Sequence, residues 1–374
     1  MADPLALFTE LAAIPSPPGD ERAVADRVAE ELRSLGLAVD EDACGAEIGS
    51  TMGNLYCRVE PTAIKGGTPL FFCAHLDTVP PQGPIEPVVE DGIVRNAAGT
   101  ILGADNKAAV VAMIEAVRRV LEDGRAHAGI ELVFTPKEEV GLIGAKAFDS
   151  ERLSARVGYV YDMAAPIGTV IMAAPSARKV DFRFHGRAAH SGMYPEEGRS
   201  AIAAAARAIA DFRLGRLDDE TTTNVGTIAG GTARNIVPEW CSFEAEVRSL
   251  DDRKVADVLE EMLEAATFAA SIAECDLETE VGADYRGYRF GRDEAVVRLA
   301  LQALERTGHD IRLETTGGAA DANVFNERGL QCLNLANGMA EIHTPDEHIA
   351  VADLDAMVEV TLAIVDAARD AADT

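Results

Sequence analysis

The sequence predicts an α/β protein: a mostly parallel, mixed sheet covered by helices, with an inserted ferredoxin-like α+β domain. Three observations predict it. Over the first 170 residues, short apolar runs alternate with segments of helical period. From about residue 175 the strands alternate polar and apolar positions, in the order β-α-β-β-α-β. After about residue 288 the first pattern resumes. The chain therefore divides into a first domain of 1–174 plus 288–374 and an inserted domain of 175–287.

Each element has its own warrant. ERAVADRVAEELRSLG (21–36) carries apolar residues at helical spacing and a glycine stop. NLYCRV (54–59), PLFFCA (69–74), IELVF (130–134) and VGYVY (157–161) are apolar on both faces, as strands covered by helices on both sides must be. The helix NKAAVVAMIEAVRRVLEDG (106–124) lies between the second and third of these runs. In the insert, ARKVDFRFHG (177–186), TTNVGTIAG (222–230), WCSFEAEVRS (240–249) and DLETEVGAD (276–284) are half-exposed strands. Helices at 198–215 and 251–273 separate them. A helix at 293–306, a Gly-rich turn TTGGAADAN (315–323), a buried strand LQCLNLAN (330–337) and an amphipathic helix at 351–371 complete the chain.

Composition bounds the function. With 48% hydrophobic residues the 374-residue chain can build ordinary cores and is no disordered acidic polymer. Asp and Glu number 63 against 34 Lys and Arg, a formal charge of −29, which argues against nucleic-acid and anionic-membrane partners. Only six of the 34 basic residues are Lys, a balance suited to concentrated salt or produced by a GC-rich genome. No basic region followed by an apolar run opens the sequence, so no signal peptide is expected. The apolar stretches at 108–117 and 201–210 are too short to span a bilayer. Six scattered Cys without a C-x-x-C point to buried, reduced thiols in a cytoplasmic protein.

In open α/β sheets, ligands bind beyond the carboxyl ends of the strands. Here PLFFCA leads to His75 and Asp77, and Asp105 precedes the 106–124 helix. IELVF leads to Glu138 and Glu139, VGYVY to Asp162, and LNLANG to His343. Singly, Asp105 is an ordinary helix cap, Asp162 turn chemistry, and the glutamates solvated charge. Five such sites on one rim of one sheet are not ordinary. Imidazole and carboxylate without thiolate suit zinc, with cobalt or manganese as alternatives. The set is too large for one catalytic ion and suits two sharing a bridging carboxylate. His75 and Asp77 share one face of an extended chain, so Asp77 can orient the imidazole. Adjacent Glu138 and Glu139 point opposite ways; one can ligate while the other acts as the base.

The motifs FFCAHLDTVP (71–80), GTILGADNKAAVVAM (99–113), VFTPKEEVGLIGAKAF (133–148), YDMAAPIG (161–168) and IHTPDEHI (342–349) resemble those of the dinuclear zinc exopeptidases and deacylases, the family of peptidase T, carboxypeptidase G, aminoacylase and acetylornithine deacetylase. HGRAAHSGMYPEEGRSAI (185–202) and NVGTIAGGTARNIVPEWCSFEAEVRS (224–249) extend the resemblance into the insert. The wording is most similar to peptidase T-like proteins. The resemblance implies two Zn2+ per subunit. His75, Asp105 and Asp162 would hold one ion and Asp105, Glu139 and His343 the other. It implies Glu138 as general base toward a zinc-bridging water, Asp77 as the orienter of His75, and a cis peptide at 105–106. The insert would be a lid and homodimerisation domain. Its His190 would stabilise an oxyanion, Asn235 and Arg248 would engage substrate, and Gly317 and Gly318 would let substrate approach the backbone. Two departures stand out: Ala319 and Ala320 precede Asp321 where the family commonly has Gly and Ser, and the MAAP loop after Asp162 offers no substrate handle.

The expected activity is hydrolysis of short peptides, most like a peptidase T-type tripeptide aminopeptidase. The alternatives are a deacylase or carboxypeptidase acting on N-acyl amino acids or dipeptides, and a non-catalytic relative serving as a binding module. Nucleophilic-serine and phosphate-loop chemistry are excluded by the lack of G-x-S-x-G and G-x-x-x-x-G-K.

Overall fold

The computed structural model describes residues 3–62 and 66–371. Two compact units are present: Met1–Met172 with Arg289–Thr315 and Ala320–Thr374, and Ala173–Tyr288 with Thr316–Ala319. The four residues 316–319, among them Gly317 and Gly318, thus belong with the second unit.

The chain opens with α1 (Pro4–Ala12), α2 (Arg22–Ser34), β1 (Val39–Glu41), β2 (Leu55–Val59) and β3 (Leu70–His75). Then come α3 (Ala104–Glu122), β4 (Ile130–Thr135), β5 (Val157–Val160) and β6 (Thr169–Ala174). The second unit supplies β7 (Ser176–His185), α4 (Ala201–Asp211), β8 (Thr221–Gly230), β9 (Trp240–Ser249), α5 (Asp252–Ala273) and β10 (Asp276–Tyr285). The chain closes with α6 (Ala295–Arg306), α7 (Asp321–Glu327), β11 (Gln331–Leu335) and α8 (Val351–Asp370).

In the first unit the strands run in the order β1-β2-β4-β3-β5-β11-β6. The central pairs β4/β3, β3/β5 and β5/β11 are parallel, and the flanking pairs are antiparallel. Every residue of β3, β4 and β5 is buried, which explains why these runs are predominantly apolar. Helix α3 packs against α1, α8 and β3, and its residues 108–114 are almost wholly enclosed. The parallel arrangement sends the carboxyl ends of β3, β4 and β5 to one rim.

The second unit is an antiparallel sheet with β8-β9-β7-β10 in that order and α4 and α5 packed together against it. That is the ferredoxin-like arrangement. Phe182 and Phe243 stack with ring centroids 4.7 Å apart, and Phe184 and Phe212 extend the cluster. The Ser200 hydroxyl accepts from Ala203 N at 3.2 Å and the Asp251 carboxylate from Arg253 N at 2.8 Å, capping the two helices.

Two features depart from expectation. The Gly-rich turn ends early, because α7 begins at Asp321 and the Asn323 side chain accepts from Ala320 N at 3.3 Å. A hairpin of Pro87–Glu90 and Ile93–Asn96, joined by His348–Ala350, was not anticipated. Its turn, Asp91 (φ 51) and Gly92 (φ 78), is the Asp-Gly pair that a two-residue hairpin prefers. All six cysteines are free, four of them buried. Among the described residues no helix is long and apolar enough to cross a membrane.

Candidate metal centre

His75 is the last residue of β3, and its ring is almost completely buried. Nδ1 lies 2.9 Å from the carbonyl oxygen of Asp77. A carbonyl only accepts, so Nδ1 carries the proton and a neutral ring presents its Nε2 lone pair to the other side. On that side stand three carboxylates: Asp105 Oδ1 at 3.2 Å, Asp162 Oδ1 at 3.9 Å and Glu138 Oε2 at 4.0 Å. His343 repeats the arrangement, with Nε2 3.2 Å from Asp105 Oδ2 and 3.1 Å from Glu139 Oε1. Asp105 thus turns one oxygen to each imidazole.

Lone pairs facing lone pairs need a cation or a proton between them. Without a metal, protons fill that role: the neighbouring carboxylates raise His75 despite its burial, and Asp105 and Glu139 push His343 up to about 10. Asp105, although buried, is held well below the ordinary carboxylate range by its hydrogen bonds to both rings. Burial and the charge of Asp105 push Asp162 up to about 7; burial and Asp162 raise Glu138 well above its ordinary value. Several carboxylates this close cannot all be ionised in a buried site without positive charge among them.

The donors fit a metal. The sets His75/Asp105/Glu139 and His75/Glu138/Asp162 each offer one ligand atom per residue, all within 4.8 Å of one another. Tetrahedral ligands about 2.0–2.1 Å from an ion stand about 3.3 Å apart, close to the 3.1–3.2 Å that separates the two imidazoles from Asp105 and Glu139.

Backbone geometry presents these side chains. Lys137 (φ 55) takes the left-handed conformation immediately before Glu138 and Glu139, and His343 (φ 63) takes it as well. Asp105 and Asn106 are non-helical at the head of α3, and the peptide between them is cis. Glu138 reaches the His75 side and Glu139 the His343 side, so the adjacent glutamates diverge.

Asp77 holds its neighbours differently from the expectation. Its carboxylate lies 3.6 Å from His75 Nδ1 and instead accepts from Glu138 N at 2.9 Å and Glu139 N at 3.1 Å. Two backbone donors claim the carboxylate, and its own carbonyl orients the ring.

Three further buried groups escape sequence reasoning in whole or part. Asp321 Oδ2 accepts from Thr135 Oγ1 at 2.6 Å, and its Oδ1 has no hydrogen-bond partner among the described residues. Lys107 donates to Ile14 O at 2.5 Å; burial pulls it down to about 7, opposed by Glu347. Glu347 accepts three backbone N–H groups from residues 102–105. Glu347 lies within the IHTPDEHI segment (342–349), which was a sequence signal, but nothing local marked this residue in it.

The remaining expected residues belong to the second unit. His190 is exposed, its Nδ1 accepts from Gly192 N at 3.2 Å and Met193 N at 3.1 Å, and its backbone bridges to Ile236. Asn235, also exposed, accepts from Ser191 N at 3.0 Å through its carbonyl, so the two segments lie side by side. Arg248 pairs with Glu246 at 2.9 Å and donates to Gly317 O at 3.4 Å, while its buried Nε has no partner among the described residues. A Cβ at Gly317 would meet nothing within 4 Å, so open space, not local packing, distinguishes that turn.

Residues 71–367 match peptidase family M20/M25/M40. The chain belongs to that family. It is a hydrolase of peptide bonds, and its structural neighbours bear this out. An aminopeptidase PepT from Bacillus cereus is 38% identical, covers 98% of each chain and superposes with a TM-score of 0.88. A tripeptidase from Staphylococcus aureus is 34% identical over 98% of each chain, with a TM-score of 0.92. A peptidase T-like protein of Rhizobium meliloti is 25% identical over 94% of this chain and 92% of its own. The M20 peptidase is therefore peptidase T-like in fold, and its cluster of His, Asp and Glu is of the kind that can hold metal.

Proposed function

We propose that this M20 peptidase is a dizinc aminopeptidase of short peptides, tripeptides foremost, acting in the cytoplasm as a homodimer joined through residues 175–287. The observation that carries the reading is Asp105, whose two oxygens each stand 3.2 Å from a different imidazole. His75, Asp105 and Asp162 would hold one Zn2+, and Asp105, Glu139 and His343 the other; Co2+ or Mn2+ would suit the same donors. Bound zinc supplies Lewis acidity, which brings the acidity of water to near pH 7 and polarises a carbonyl.

The chain's own residues do the rest. Glu138 takes a proton from the attacking water and passes it to the leaving amine. Burial strengthens it as a base. Asp77 fixes the backbone of Glu138 and Glu139 and, through its carbonyl, the tautomer of His75. In the second unit, the unpartnered Nε of Arg248 is available to a substrate carboxylate. Asn235 meets a substrate carbonyl, His190 the developing oxyanion, and the open turn at Gly317 and Gly318 the peptide backbone. Support for the substrate class comes from the aminopeptidase and tripeptidase whose folds this chain shares along nearly its whole length.

A free tripeptide and its N-acetylated form separate this activity from a deacylase or carboxypeptidase. Turnover of the free tripeptide with release of its first residue is expected. Turnover of only the acylated form would overturn the aminopeptidase assignment.

A further inference from the structure

We infer that Glu347 is a positioning residue for the metal centre, a carboxylate clasp that locks the segment carrying Asp105 to the loop carrying His343. Its side chain is 2% exposed. Oε2 accepts from Leu102 N at 2.7 Å and Gly103 N at 2.9 Å, and Oε1 accepts from Asp105 N at 3.0 Å. These donors need a partner. Leu102 and Gly103 precede α3 and Asp105 sits non-helically in its first turn, so the helix supplies none of the three N–H groups with an acceptor, and Gly103 at the cap position has no side chain to do so. Glu347 supplies it from more than 240 residues away in sequence.

The location of the clasp gives it a role beyond capping. Both carboxylate oxygens of Asp105 face imidazoles, so its backbone N–H is the group left to fix where the residue sits. Glu347 takes that N–H. It also stands four residues after His343 in a turn closed by Glu347 N donating to Thr344 O at 3.2 Å. One side chain therefore sets the distance between the bridging carboxylate and the imidazole that shares it. Groups that orient metal ligands are typically worth about 10–100-fold in metal affinity.

Glu131 provides the matched control. It is equally buried and also gathers three residues: Tyr56 OH at 2.6 Å, Ser154 N at 3.2 Å and Ala155 N at 2.8 Å. None of these is a proposed ligand. The experiment loads the full chain with Co2+ and measures affinity by chelator competition, the visible Co2+ absorption and thermal unfolding for wild type, Glu347→Gln and Glu131→Gln. Both variants should unfold at lower temperature. Only Glu347→Gln should lose about 10-fold or more in Co2+ affinity and change the absorption spectrum.

Unchanged affinity and spectrum in Glu347→Gln, or equal losses in Glu131→Gln, would overturn the assignment. If Glu347→Gln does not fold, Glu347→Asp, which keeps the charge but shortens the reach, carries the same comparison. The inference rests on the cluster holding metal. Wild-type protein that binds no Co2+ would refute that reading, whereas wild-type binding with unaffected Glu347 variants refutes the clasp alone.

Discussion

The two units place their polar side chains under opposite conditions. In the first, His75, Asp77, Asp105 and Glu138 are buried at the rim of a parallel sheet, where desolvation sets charge against charge. In the second, His190 and Asn235 are exposed and Arg248 is half-buried beside Glu246. Buried charge is tolerated only when something compensates it, so the facing lone pairs of the first arrangement call for a cation or protons between them. Exposed charge costs little and announces nothing. The expected roles in the second unit therefore rest on resemblance, and those in the first on physics as well.

The sharpest way to break this contrast is Glu138→Ala. Removing a general base costs about 10²–10⁴-fold in kcat, with bound Zn2+ unchanged because Glu138 is not among the proposed ligands. Metal content by elemental analysis and turnover of a tripeptide check both halves. Retained activity would reassign the base; lost metal would make Glu138 a ligand.

Phe243→Ala tests the second unit on its own ground, its core. The ring stacks on Phe182 and meets Phe184 and Phe212, and it is 1% exposed. Its truncation should cost about 3–5 kcal/mol, measured by denaturant unfolding. A loss under about 1 kcal/mol would mean that the aromatic cluster is not the centre of that core.

Arg248→Lys should be milder. A charge-assisted hydrogen bond is worth about 1.5–3 kcal/mol, so KM should rise about 10–100-fold while kcat and metal content hold. A fall in kcat at constant KM would place Arg248 in transition-state stabilisation. No effect on either would leave it to its contact with Glu246.

What the sequence made legible follows the same divide. Apolar runs such as PLFFCA announce buried strands because both faces are covered, and the polar residues just beyond them then stand out; IELVF keeps its one charge, Glu131, by satisfying it with Tyr56, Ser154 and Ala155. The period-two strands of the insert were equally plain, being one-sided. Glu347 was not legible, because its partners are backbone N–H groups far away in sequence and no residue type records them. The same holds for Asp77: its carboxylate was expected on His75, and only the folded path of residues 137–139 shows two N–H groups reaching it first. Side-chain chemistry can be read from a sequence; competition from the backbone cannot.

The smallest effect should come from the ion pairs that decorate the second unit. Arg213 and Glu261 meet at 2.7 Å with both side chains more than half exposed. Water and salt screen such a pair, and ordering two long side chains offsets most of its attraction. Arg213→Ala should lower stability by no more than about 1 kcal/mol, less in high salt, and leave tripeptide turnover unchanged. Thermal unfolding at low and high ionic strength measures it. A loss several times larger would show that this unit also depends on its charges, and the contrast between the two units would then be one of degree.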